Sequence, residues 1–259
     1  MPYKKLHIEI CDRVGYILMQ SGSRFNKLTS TTLRELKRAF GELEADPAVT
    51  VIVLSGYPGE SFAVGADIAQ MRDFGPAEGF AFAELGQSLF AQMEECGKPI
   101  IGALNGITMG GGCDLALACD IRLGSDALLF AHPGAKLGII TGFCGTQKLP
   151  RLVGKNFARE IFMTSDPCTA ADGLRMGFVN RLFPAASFWD DVVAFAGRIA
   201  AHPVEPLLYG KKIINASEDV ELKSGCVMEL GAFSSLFATE ARAEKMQSFL
   251  NRKKNHGTR

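Results

Sequence analysis

Two short, almost continuously apolar runs, 49–54 and Ile100–Leu104, constrain this chain most. Each is too short for a helix and has no polar alternation, which is the pattern of a strand buried on both faces. Such strands need cover on both sides, and the text around them supplies it, with helical periodicity over 31–44 and 79–96. The Asp46-Pro47 pair stops the first helix, and Gly56, Pro58 and Gly59 mark a loop after the first apolar run. The fold class expected is therefore α/β.

The rest of the chain extends this alternation. Leu6–Cys11 and Val14–Met19 read as a hairpin around Asp12-Arg13. Further strands are expected at 121–123, 128–131 and 178–183, the last ending before Pro184. Short helices are expected at 113–119, 145–153, 155–164 and 169–176. From Phe188 onward the pattern is helical, with Pro203 and Pro206 as punctuation and two amphipathic helices reaching Lys254. A strand-turn-strand-helix unit is thus used more than once and is followed by helices. The domain boundary is drawn near His202-Pro203, giving a core over 1–202 and a helical region over 203–259.

Composition excludes several classes of function. Twenty-eight basic residues balance 28 acidic ones, so nucleic acid is not an expected partner. Seven cysteines form no C-x-x-C pair and are read as reduced thiols. Four histidines, at 7, 132, 202 and 256, have no i, i+4 partner, and no metal is expected. With no signal segment and no membrane-length apolar stretch, a cytoplasmic location is expected. The dinucleotide fingerprint is absent, Gly154-Lys155 is followed by Asn156 rather than Ser or Thr, and no serine sits in G-x-S-x-G.

What remains is chemically suggestive. Gly110-Gly111-Gly112 opens a helix whose first turn contains Asp114. N–H groups at a helix start lack an intrahelical acceptor, and glycines let a ligand oxygen approach them, so an anion or a developing oxyanion is the expected guest. Asp114 has two readings: a structural carboxylate favoured by the helix dipole, or a catalytic one. The dipole is expected to depress its pKa. His132 has the pKa range for acid–base work but is also a common structural group at a strand end.

Two segments, Ser61-Phe62-Ala63-Val64-Gly65-Ala66-Asp67-Ile68-Ala69-Gln70-Met71 and the stretch from Asn105-Gly106 through the triplet to Asp120, resemble the crotonase superfamily, also called enoyl-CoA hydratase/isomerase. The resemblance continues through Phe130-Ala131-His132-Pro133-Gly134, Leu137-Gly138 and Gly145–Gly154, and reaches Phe237-Ala238-Thr239-Glu240. It implies a spiral of repeated ββα units with a C-terminal helical trimerisation region, assembled as a homotrimer or a dimer of trimers. It also implies an acyl-CoA thioester as partner, with coenzyme A entering as part of the substrate and no tightly bound cofactor or membrane contact. By the same resemblance the N–H groups of Ala66 and Gly111 form an oxyanion hole for a thioester enolate. Val64, Asp67, Ile68, Gly110, Pro133, Gly134 and Leu137 fall at substrate- or CoA-binding positions. Arg24 and Phe25 fall near the phosphates, and Phe237 and Lys254 near the nucleotide end.

The resemblance also places the chemistry. Hydratases of this family carry two glutamates; here the first position holds Asp114 and the second holds Gly134, leaving His132 as a possible substitute acid or base. Thr141 and Cys144 fall in a loop that faces the acyl group. A similar Gly-Ala-Lys-x-Gly setting occurs in naphthoate synthases, but Ile139 and Thr141 break that match. Leu85, Leu89, Ile139, Ile140 and Phe143 are candidates for an apolar acyl pocket. The reaction stays open between hydration, isomerisation, hydrolysis and decarboxylation, beside a catalytically weakened acyl-CoA-binding protein.

Overall fold

A computed structural model describes residues 2–256, with side chains described up to Asn251. The chain forms two compact units, Met1–Ala201 and His202–Arg259. The first contains strands β1 Leu6–Cys11, β2 Val14–Met19, β3 Val51–Ser55, β4 Ser61–Ala63, β5 Ile100–Leu104, β6 Ile107–Met109, β7 Ile121–Ser125, β8 Leu129–Ala131, β9 Cys168–Thr169 and β10 Arg181–Phe183. Its helices are α1 Ser30–Ala45, α2 Ile68–Met71, α3 Pro76–Glu95, α4 Gly111–Leu117, α5 Gly145–Val153, α6 Lys155–Thr164, α7 Ala170–Met176 and α8 Phe188–Ala200.

The strands divide between two sheets, in the orders β1-β2-β3-β5-β7-β10 and β4-β6-β8-β9. Each successive pair, β3 and β4, β5 and β6, β7 and β8, sends its first strand to the large sheet and its second to the small one. This division is what turns a repeated ββα unit into a spiral. The hairpin β1-β2 and the pair β8-β9 are antiparallel, whereas β2-β3, β3-β5, β5-β7, β4-β6 and β6-β8 run parallel. The crossing between sheets is pinned by Asn105. Its side-chain oxygen accepts from Gly56 N–H at 3.1 Å, and its amide donates to Gly59 O at 2.6 Å.

The large sheet explains its own apolar runs. On one face, Val14, Tyr16, Leu18, Val51, Val53, Ile101 and Ala103 meet Phe188, Val192, Ala196 and Ala200, spaced four apart on α8. On the other, Ile17, Met19, Ile52, Leu54 and Ile100 pack with Leu33, Leu36 and Phe40 of α1 and Phe90 of α3. Burying each such side chain on both faces contributes roughly 1.5–3 kcal/mol.

Three expectations need correction. The strand expected over 178–183 is confined to Arg181–Phe183, because buried Arg122 takes the backbone instead, donating to Phe178 O at 2.8 Å and Cys119 O at 2.7 Å. Phe178 meanwhile stacks on Phe130 at 4.2 Å between ring centroids. The helix after the triplet spans Gly111–Leu117 rather than 113–119, because two of the three glycines are themselves helical. Leu89 is fully buried core, and neither it nor Leu85 lines the cavity described below.

The second unit comprises α9 Val204–Ala216, α10 Leu222–Leu236 and α11 Glu240–His256, with α9 and α10 packed together. Leu222, Val227, Leu230 and Phe233 of α10 are exposed. No helix among the described residues is long and apolar enough to cross a membrane.

Candidate active site

The small sheet positions the site. β4, β6 and β8 are adjacent and parallel, so the segments leaving their C-terminal ends, 64–66, 110–111 and 132–134, converge. Ligands of open parallel sheets bind at that edge. Gly65 holds φ at +89°, and a Cβ there would lie 2.9 Å from Met109 O and 3.2 Å from Gly111 N, so only glycine lets these two segments touch. Gly110 N–H donates to Ala131 O at 2.8 Å, tying the triplet to the end of β8. Among the described residues, neither Ala66 nor Gly111 donates a recorded hydrogen bond, so both N–H groups remain available to a guest.

These segments line a cavity of ≈ 1280 Å³. Val64, Ala66, Ile68, Gly110, Gly111, His132, Pro133, Gly134 and Leu137 all reach its wall. Phe74 and Phe82 close one side and Ile139, Ile140 and Phe143 another, so most of the interior is apolar. Helix α6 contributes a face with Lys155, Arg159 and Phe162; together with Lys136 and Arg151, four cations line the wall, and no aspartate or glutamate does.

Asp114 lies behind the wall, fully buried. Thr141 donates its hydroxyl to Oδ2, and the start of α5 is pressed so close that any side chain at Gly145 would collide with the carboxylate. Burial pushes the Asp114 pKa well above the usual carboxylate range, and the Thr141 hydrogen bond opposes this only in part. This corrects the expectation of a depressed pKa: desolvation outweighs the field of a seven-residue helix. The His132 imidazole stands 3.3 Å from Asp114 Oδ1 and against the Phe162 ring at 4.4 Å. Burial lowers its pKa to about 4, so it is neutral at physiological pH. Cys144 is half-buried, and burial raises its pKa, which leaves it a poor nucleophile.

Three other candidate residues of the first unit lie apart from the cavity. Arg24 is exposed, paired with Glu60 at 2.9 Å and placed over the Phe25 ring at 4.9 Å. Asp67 caps α2 and pairs with Lys27 at 3.2 Å. None of Arg24, Phe25 and Asp67 lines the cavity. Phe237 belongs to the second unit, where its ring packs on Phe233 at 5.0 Å and beneath Arg242 at 4.8 Å. The side chain of Lys254 lies outside the described residues. Sequence reasoning missed Phe162 and Arg159, whose only signal is their i, i+3 spacing on one face of α6.

The family model for enoyl-CoA hydratase/isomerase matches residues 9–258. This chain belongs to that family. It is 34% identical to the short-chain-enoyl-CoA hydratase of Clostridium acetobutylicum, covering 95% of this chain and 94% of that protein. It is likewise 34% identical to the crotonyl-CoA hydratase of Syntrophomonas wolfei, covering 98% of each. Among solved structures, an enoyl-CoA hydratase subunit from Geobacillus kaustophilus superposes with a TM-score of 0.90 at 31% identity, over 96% of this chain and 95% of that one. One from Bacillus anthracis gives 0.91 at 27%, over 96% of each. The protein is thus an acyl-CoA-processing enzyme of the enoyl-CoA hydratase/isomerase family with the crotonase fold.

Proposed function

We propose that this enzyme binds an acyl-CoA thioester with its carbonyl between the N–H groups of Ala66 and Gly111, and moves a proton at the acyl α-carbon with a single acid–base centre that contains Asp114. The observation that carries this reading is the cavity wall, which brings both N–H donors to one edge and bears no carboxylate of its own. Two-carboxylate hydration needs one group to activate water and another to deliver the proton, and this site has a glycine where the second would stand. The double-bond shift of an unsaturated acyl-CoA needs only the oxyanion hole and one shuttle. CoA contacts at Val64, Ile68, Gly110, Pro133 and Leu137, the position of these residues along one wall supporting them, complete the reading.

A second reading, decarboxylation of a malonyl-type thioester, is favoured by the four cations on the wall. Loss of CO₂ generates the same enolate, without a base, and an acid then protonates it. Incubation with crotonyl-CoA, its β,γ-unsaturated isomer and a malonyl-type thioester in heavy water, followed by mass spectrometry, tests both. Deuterium at the α- or γ-carbon with interconversion of the first two supports the shuttle, and CO₂ loss with deuterium uptake supports the second. Rapid net addition of water to crotonyl-CoA sinks both.

The loop after Gly134 has taken the space of a side chain. A Cβ at Gly134 would lie 2.8 Å from Ile139 O, and Ile139 N–H donates to Gly134 O at 3.0 Å. Gly134→Glu is therefore expected to cost about 1–3 kcal/mol of stability by overpacking without creating hydration of crotonyl-CoA. A melting curve and the loss of the enoyl chromophore check the two halves. The exposed apolar residues of α10 support a further part of the proposal, that the C-terminal unit joins subunits into a trimer or a pair of trimers. Light scattering tests it.

A further inference from the structure

Asp114 Oδ1 and His132 Nε2 are both fully buried, and neither has a hydrogen-bond partner, yet they lie 3.3 Å apart. Two buried orphans within reach of each other are both satisfied by one proton placed between them. The carboxylate is withdrawn from the cavity, whereas the imidazole lines it. We propose that Asp114 and His132 act as one proton-sharing pair in which His132 is the catalytic residue that meets the acyl chain and Asp114 is a positioning residue behind it. This deepens the function proposed above and rests on it for the substrate.

The surroundings fit a pair that carries no net charge. Burial disfavours the carboxylate and the imidazolium alike, so the shared proton belongs on Asp114 Oδ1, with Nε2 as acceptor and the neutral ring's one N–H at Nδ1. Thr141 donates to Oδ2, the Phe162 ring of α6 lies against the imidazole, and the thiols of Cys113 and Cys144 lie near enough to feel the Asp114 charge, their own pKa values raised chiefly by burial. Neither the hydroxyl nor the ring competes for the shared proton. In the forward step the Nδ1–H bond of His132 breaks and its electron pair stays on nitrogen. The enolate's C=C pair forms the new C–H bond at the α-carbon as the oxyanion reverts to a carbonyl. The Asp114 proton crosses from Oδ1 to Nε2, so the negative charge moves from the enolate oxygen to the Asp114 carboxylate, where the Thr141 hydroxyl already points. In a double-bond shift the deprotonated pair first takes the γ-proton at Nδ1, which forms the dienolate and restores the acid form for the step above, whereas after CO₂ loss the proton is restored from water.

Variants and nitrogen spectroscopy test this. His132→Gln is expected to lower kcat about 100-fold with KM little changed, the scale of general acid–base catalysis. His132→Ala is expected to recover part of its rate with added imidazole. Asp114→Asn is expected to lower kcat and to move the pH profile of kcat toward that of an ordinary imidazole. A His132→Gln enzyme within threefold of wild type, or an Asp114→Asn enzyme with an unmoved pH profile, overturns the proposal.

The unsubstituted protein offers a test that does not depend on turnover or on a variant folding. In ¹⁵N-histidine-labelled enzyme, His132 is expected to show an unprotonated Nε2, a protonated Nδ1 and no titration between pH 5.5 and 8, a window above its lowered pKa. A protonated Nε2 at neutral pH, or titration near pH 6.5, overturns the pair. If no thioester is turned over by wild type, the proposed function fails while the nitrogen shifts still report on the pair.

Discussion

Gly111→Pro is expected to lower kcat about 10²–10³-fold below Gly111→Ala, the range found when one oxyanion donor is removed. The comparison isolates one hydrogen. Gly111 is the first residue of α4, the helical position where proline is tolerated because its N–H has no intrahelical acceptor. Both variants place a Cβ beside the Phe143 ring, 3.0 Å from its nearest carbon, so any cost of displacing that side chain is common to the two. Only the proline lacks the donor. Steady-state rates on whichever thioester is turned over decide the matter: equal kcat for the two variants would mean that the carbonyl is not held at Gly111.

The second large effect is on stability. The His132 pKa is about 4 in the folded protein against an ordinary 6.5, so between those values the unfolded chain binds a proton that the folded chain refuses. Stability therefore rises with pH through this window; the contribution is complete above pH 6.5 and is lost as pH falls toward 4. The gap corresponds to about 3 kcal/mol. Asp114 acts with the opposite sign, because its raised pKa makes the folded state hold its proton longer, a stabilisation present at acid pH and lost as pH rises. His132→Gln keeps the other three histidines, so the difference between variant and wild type reports the imidazole together with its coupling to Asp114. Urea unfolding at pH 4 and pH 7 is expected to show wild type losing about 3 kcal/mol more than His132→Gln on acidification. Parallel losses in the two proteins would show that His132 is not buried as a neutral ring.

The pair of carboxylic acid and imidazole also bears on the choice of reaction. If the proposed pair holds its proton at rest, it suits the protonation of an enolate formed by CO₂ loss, whereas a double-bond shift starts from the deprotonated pair. The cations of α5, α6 and the Pro133–Leu137 turn, of which Lys136 is paired with Asp166 at 3.5 Å, give an anionic acyl group a reason to enter.

Most of the large sheet was legible because burial on both faces leaves an unbroken apolar run, and α8 because its core contacts recur every four residues. Of the small sheet only β8, expected over 128–131, was legible. β4 and β6 are three residues each, too short for any period to show, and their existence depends on Asn105 and the Glu60 carbonyl, which pairs with Ile107 N–H at 3.2 Å. The strand expected at 178–180 failed for a related reason: Arg122, fifty-odd positions away, captures the backbone that a ladder would have used.

The sequence by itself determined the backbone conformations of the site and the family. Glycines at 65, 110 and 111, a helix start within the triplet and a carboxylate in its first turn are local facts, written in two short segments. Only the tertiary structure decided that His132 stands beside Ala66 and Gly111 on one cavity wall, that Gly134 has no room for a side chain, and that burial raises the Asp114 pKa. Proximity across forty-five positions is set by which strands lie adjacent, and protonation is set by how completely Thr141, Gly145 and Phe162 exclude water. Both are sums over contacts distant in the chain, which no local pattern encodes.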